Sequence, residues 1–139
     1  MACILTEVTE NPISSPQIKN SVAAAEFGAF VEFSGTVRNF DSGRSVVRLE
    51  YEAHPTASSV LLEIASEIEK KYPKVNFAIS HRVGALDVGD LAFYVVAASA
   101  HRDEAFEVSR VLVEEVKAKI PVWKNQIFLD GSNEWVNSA

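Results

Sequence analysis

Cysteine is nearly missing from this chain of 139 residues: only Cys3 is present. One thiol excludes an intrachain disulfide and a cysteine-rich metal site, and it fits a reducing compartment. The HxH, HExxH and CxxC spacings are absent as well, so no metal is expected. GxSxG, Walker A and GxGxxG are lacking too. No cofactor is expected. Positive charge is in deficit, with 13 Lys+Arg against 19 Asp+Glu and a net charge of −6. That balance argues against a general nucleic-acid or membrane-surface binder, although it leaves room for a local basic pocket. No apolar run approaches the ~20 residues that span a bilayer. The N-terminus shows no basic segment followed by an apolar run, so no signal peptide is expected and the location expected is cytoplasmic.

What is present suits one globular domain, residues 1–139, with 47% hydrophobic residues to build its core. "ACILTEVT" reads as a strand. "SSPQIKNSVAAAEFG" reads as a helix with Ser15 as N-cap, Pro16 in its first turn and Gly28 beyond its end. "GAFVEFSGTVRNF" is a strand interrupted at Gly35, "DSGR" a turn, and "SVVRLEYEAH" an alternating strand. Val47, Leu49 and Tyr51 would share its inner face, and these two strands would pair as a hairpin with one wet face. "TASSVLLEIASEIEKKYP" is a helix stopped by Pro73, and "KVNFAISHRVG" a strand with Val75, Phe77 and Ile79 on one side. "GALDVGD" reads as a turn, and "LAFYVVAASA" as a central strand because it is apolar almost throughout. "HRDEAFEVSRVLVEEVKAKIP" is the last long helix, with Asp103 as candidate N-cap and Pro121 as stop. One or two short strands around "DGSN" close the sequence. The order predicts an α+β domain with a mostly antiparallel sheet.

Several polar residues stand out. His101 and Arg102 precede the last helix, whose free N–H groups favour an anion such as phosphate; the competing reading is a strand-end arginine paired with a surface carboxylate. Arg38 follows Gly35 and can reach the same anion, or be a solvated hairpin arginine. Lys117 lies about 20° from Phe106 around the helix and close to Val113, at the edge of the apolar stripe. A lysine beside apolar groups can lose its proton and act as nucleophile or base. Its alternative is a snorkelling side chain paired with Glu114. Lys119 is the weaker candidate. Lys124, next to Trp123, reads as cation–π or amphipathic packing at a sheet edge. His81, Arg82 and His54 read as structural strand-end residues.

Three stretches carry a resemblance in combination: "GAFVEFSGTVRNFDSGRSVVRLEYEAH", "HRVGALDVGDLAFYVVAASAHRDEAF" and "VKAKIPVWKNQ". From about Ala29 to Trp135 the chain resembles the large, catalytic subunit of molybdopterin synthase. The resemblance implies an α/β-hammerhead fold and a homodimer that binds one small ubiquitin-like subunit at each end, giving a heterotetramer. The small subunit's C-terminal Gly-Gly thiocarboxylate would enter a pocket and deliver sulfur to cyclic pyranopterin monophosphate. Two rounds would form the dithiolene of molybdopterin. The resemblance puts Lys117 and Lys124 in catalysis. It assigns substrate binding to Thr36, Val37, Arg38, His101, Arg102, Asn125 and Gln126 beside the two lysines. Phe33, Pro121 and Trp123 would shape the pocket. A homodimer is also expected because the apolar strand Leu91–Ala98 and the sheet edges need covering.

Two stretches depart from the family's pattern. After the second lysine a basic and then an acidic residue are common, whereas here Asn125 and Gln126 follow. No basic residue follows Trp135 in "WVNSA", which puts the cross-dimer part of the anion pocket in question. The alternative reading is therefore a partner-binding module that has lost efficient chemistry.

Overall fold

The computed structural model describes residues 3–137; Ala2 of the first strand and Ser138 and Ala139 of the tail lie outside them. The elements run β1 (Cys3–Thr9), α1 (Ser15–Val22), β2 (Ala29–Thr36), β3 (Phe40–Asp41), β4 (Arg44–Ala53) and α2 (Ala57–Lys71). They continue as β5 (Asn76–Arg82), β6 (Gly84–Asp87), β7 (Leu91–Ser99), α3 (Arg102–Lys119), β8 (Val122–Phe128) and β9 (Asn133–Asn137). The class is α+β, as the sequence predicts.

The first sheet has the order β1-β5-β7-β2, with β1 and β5 parallel and the other pairs antiparallel. Both faces are covered within the chain. Phe93, Val95 and Ala97 of β7 pack with Phe77 and Ile79 of β5 against α2 and α3. Tyr94, Val96 and Ala98 pack with Ala78 against Ile18 and Val22 of α1. Burial on both faces is why β7 is a continuous apolar run. It also corrects the expectation that this strand needs a second copy to cover it.

The second sheet runs β3-β4-β8-β9, with β6 paired to β4. A smaller core of Val37, Val46, Leu49, Leu86, Ala92 and Phe128 lies under it. Here the local reading of the sequence needs correction. β2 pairs with β7 and not with β4, so the two expected hairpin strands belong to different sheets. The hairpin that does form joins β3 to β4 through Ser42 and Gly43, both at positive φ. A register shift between Val46 and Arg48 turns Val46 inward and leaves Val47 exposed; a bulge changes the face on which later residues fall. "GALD" is a strand and not a turn.

The helix boundaries move by small steps. Ser14, not Ser15, occupies the N-cap position of α1, without a side-chain capping bond, and the helix ends at Val22, well before Gly28. His101 occupies the N-cap of α3, and Asp103 sits with Glu104 in the first turn, where carboxylates complement the helix dipole. α2 and α3 end at Lys71 and Lys119, ahead of Pro73 and Pro121 as expected. Phe106 is exposed, so the buried stripe of α3 is Ala105, Val108, Leu112, Val113 and Val116. Lys117 still borders that stripe, through Val113 and Val116. Among the described residues no helix is long and apolar enough to cross a membrane.

Candidate active site

A cavity of about 240 Å³ opens where the end of α3 meets β8, β4 and the adjoining ends of β2, β5 and β7. Lys117 and Lys124 both line it. Arg38, Asp41 and Gln126 also reach it, while Tyr51, His81 and Phe93 supply aromatic wall.

The chain path explains why two lysines so far apart in helix and strand share one wall. The Ile120 N–H donates to the Val116 carbonyl and closes α3. Pro121 cannot extend the helix. Its carbonyl accepts a hydrogen bond from the His54 N–H at 2.9 Å, which ties the turn to the end of β4. β8 then returns antiparallel to β4, with Lys124 opposite Tyr51 and Gln126 opposite Leu49. Strand alternation puts Lys124 and Gln126 on the cavity side, while Trp123 points away and is exposed.

The Lys117 ammonium stands 5.9 Å from the centre of the Phe93 ring. Partial burial, and then the nearby charge of Lys124, lower its pKa, with Glu114 opposing. No Lys117–Glu114 ion pair forms among the described residues. Lys119 pairs with Glu115 at 2.7 Å and lies outside the cavity.

Arg38 donates to Asp41 at 3.3 Å, and the Gln126 amide donates to the other Asp41 oxygen at 2.9 Å. The carboxylate absent from position 126 is thus present nearby, on β3. His81 is buried between Tyr51, edge-on at 5.2 Å between ring centres, and Phe93 at 5.5 Å. Its Nδ1 donates to the Arg82 carbonyl at 2.7 Å. Burial pulls its pKa down to about 4; the bond to Arg82 works against that and Lys117 adds to it. Burial likewise raises the Tyr51 phenol.

Of the residues expected at the site, Thr36, Arg38, Lys117, Lys124 and Gln126 line the cavity. Val37 does not; it is buried in the small core under the second sheet. Asn125 is buried facing β9, where its side-chain oxygen accepts from Asn133 at 3.0 Å. Phe33 packs on Phe93 at 5.7 Å between ring centres and so supports the wall from behind. Its edge also limits Gly35, where a Cβ would come within 3.3 Å of it.

His101 and Arg102 are not brought to this cavity. They follow β7, whose Phe93 end lies at the site, and six residues of strand at ~3.3 Å each put Ser99 roughly 20 Å away. Their helix start also carries Asp103 and Glu104, which oppose an anion there. Tyr51, His81, Phe93 and Asp41 are among the cavity residues that the sequence reading missed. For His81 a signal existed: it continues the inward series of Phe77 and Ile79.

Three cations, one of them a lysine with lowered pKa, converge on an aromatic-walled cavity in a two-sheet α+β fold. Such an arrangement suits an anion and sets beside it an amine whose chemistry allows it to act as nucleophile or base. The chain belongs to the family described as "MoaE protein", whose model matches residues 8–119. The molybdopterin synthase catalytic subunit of Bacillus subtilis is 40% identical over 131 residues, 94% of this chain and 83% of that protein. The crystal structure of molybdopterin synthase from Staphylococcus aureus aligns with TM-score 0.87 and 34% identity, covering 94% of this chain and 95% of that one. A complex of subunits 1 and 2 of molybdopterin-converting factor from Helicobacter pylori aligns with TM-score 0.76; at 20% identity it speaks for the fold alone.

Proposed function

We propose that this chain is the catalytic subunit of a molybdopterin synthase. It takes sulfur from the C-terminal thiocarboxylate of a small ubiquitin-like partner and delivers it to cyclic pyranopterin monophosphate. The observation that carries the reading is the placement of Lys117 and Lys124 in one cavity with Arg38. A thiocarboxylate and a phosphate are both anions, and charge-assisted bonds from these three cations suit them. Lys117 is the group for attack on the tail carbonyl or for proton transfer. Lys124 orients the substrate and offsets developing negative charge. Cys3 lies outside the cavity lining, in keeping with sulfur that arrives on a partner.

The assembly proposed is a homodimer within a heterotetramer. His101 and Arg102 keep an anion-binding role only if a second copy supplies them, because within one chain the sheet holds them away. A cytoplasmic location goes with this chemistry, since a free thiol and a thiocarboxylate persist in a reducing compartment. The test is single-turnover conversion of the cyclic phosphate precursor by this chain with a stoichiometric thiocarboxylated partner. Product formation is expected. Partner binding without turnover would instead establish the binding-module reading.

A further inference from the structure

His81 is 5% exposed and lines the cavity, yet only one of its ring nitrogens is used. A carbonyl can only accept, so the bond to Arg82 fixes the proton on Nδ1 and leaves a lone pair on Nε2. Among the described residues nothing donates to that nitrogen. Because His81 lines the cavity, a ring nitrogen without a protein donor is open to whatever the cavity holds. The ring cannot easily turn to find another partner, because Tyr51 and Phe93 hold it on two sides. The charged donors around the cavity are Arg38, Lys117 and Lys124, and the one carboxylate lining it, Asp41, is already shared by Arg38 and Gln126. Burial and the Lys117 charge keep the imidazole neutral, with its pKa down at about 4. A base that weak is a poor proton carrier at neutral pH, but it remains a good acceptor.

We propose that His81 is a ligand-binding residue whose Nε2 accepts a hydrogen bond from an N–H group standing next to the anionic centre held by Lys117 and Lys124. The proposal rests on the sulfur-transfer reading. Two sources carry this chemistry: the last peptide N–H of a glycine-ended tail, two bonds from its terminal anion, and the N–H edge of a pterin ring.

Imidazole nitrogen resonances of ¹⁵N-labelled full chain, read at neutral pH, test it directly. The free protein should show His81 as the neutral Nδ1–H form. Nε2 should then move toward the hydrogen-bonded position on addition of a synthetic peptide ending in Gly-Gly, if the tail is the source. A response to the parent pterin alone would identify the ring. The Lys117 Cε resonance is followed in the same samples. If it responds to a probe while Nε2 does not, this inference fails and the sulfur-transfer reading stands. If neither responds to either probe, both fail. A charged or Nε2–H imidazole in the free protein also overturns the proposal. In turnover, His81→Phe should raise KM roughly three- to tenfold, the worth of one hydrogen bond, with kcat little changed. His81→Gln, which restores an acceptor, should recover most of that loss, and an unchanged KM in His81→Phe contradicts the proposal.

Discussion

Lys117 and Phe93 stand in cation–π range, the ammonium 5.9 Å from the ring centre. The contact holds the amine at the cavity wall while partial burial and Lys124 make its proton easier to lose. Lys117→Ala should therefore abolish product formation. It should change stability by no more than about 1 kcal/mol, since the side chain leaves the apolar stripe at its edge. Lys117→Arg should be inactive too, because a guanidinium stays protonated. Single-turnover assays and denaturant melts check both, and a wild-type rate for Lys117→Ala would remove the lysine from catalysis.

Gln126→Glu should be harmful even though the resemblance implies an acidic residue at this place. Its new carboxylate would face Asp41 across what is now a 2.9 Å bond. Like charges raise each other's folded pKa, so the loss of stability is present at neutral pH and fades as pH falls through that raised value. Combining it with Asp41→Asn should restore stability at neutral pH, with amide and carboxylate exchanged. Melts of the single and double variants at pH 7 and pH 5 decide this.

Most of the fold was legible because its signals are local: helical periodicity in α2 and α3, prolines at their ends, and the unbroken apolar run of β7. Pairing was not legible, because β2 and β4 choose partners from far along the chain. The Val46 bulge is equally silent in an alternating pattern. At the site, Lys117 was legible as a helix-edge residue, whereas Lys124 beside Trp123 reads locally as sheet-edge packing and is set apart only by the resemblance. Asp41 could not, since a two-residue strand gives no periodicity and its bonds to Arg38 and Gln126 depend on the second sheet closing. Within one chain His101 and Arg102 lie away from Arg38, and spacing alone could not say so, since it does not tell which end of a strand faces the cavity.

His81 should make the fold acid-sensitive. Its folded pKa of about 4 lies below the ordinary 6.5. The unfolded chain thus binds the proton more readily, and stability falls as pH drops from roughly 6.5 toward 4. Between pH 7 and pH 5 this one group should cost about 2 kcal/mol. The same interval should cost His81→Phe correspondingly less, which denaturant midpoints at the two pH values will show.

The separation of His101 and Arg102 from the cavity makes a subunit-mixing experiment decisive. Arg102→Ala and Lys117→Ala chains should each be poorly active alone. If a second copy supplies Arg102, a mixed dimer holds one complete site, with Lys117 from the first variant and Arg102 from the second. Activity should then return on mixing. If the arginine acts within its own chain, or only shapes the helix start, no mixture regains activity.

Lys124 tests whether the two lysines work as a pair. Its charge is the second cause, after burial, of the lowered Lys117 pKa. Removing it in Lys124→Gln should let that pKa rise toward the ordinary 10.5. If the free amine of Lys117 is the reacting form, rate climbs with pH through its pKa, so the rising limb of the pH–rate profile must shift to higher pH. At neutral pH the variant should retain weak turnover, and raising the pH should recover part of the deficit. The shift separates Lys124's two possible contributions. A purely orienting lysine lowers the rate by the same factor at every pH, whereas a charge that tunes its neighbour lowers it most where Lys117 is protonated. An unmoved limb would mean that Lys117 does not react as the free amine or does not feel Lys124. Complete inactivity at every pH would transfer the essential role to Lys124.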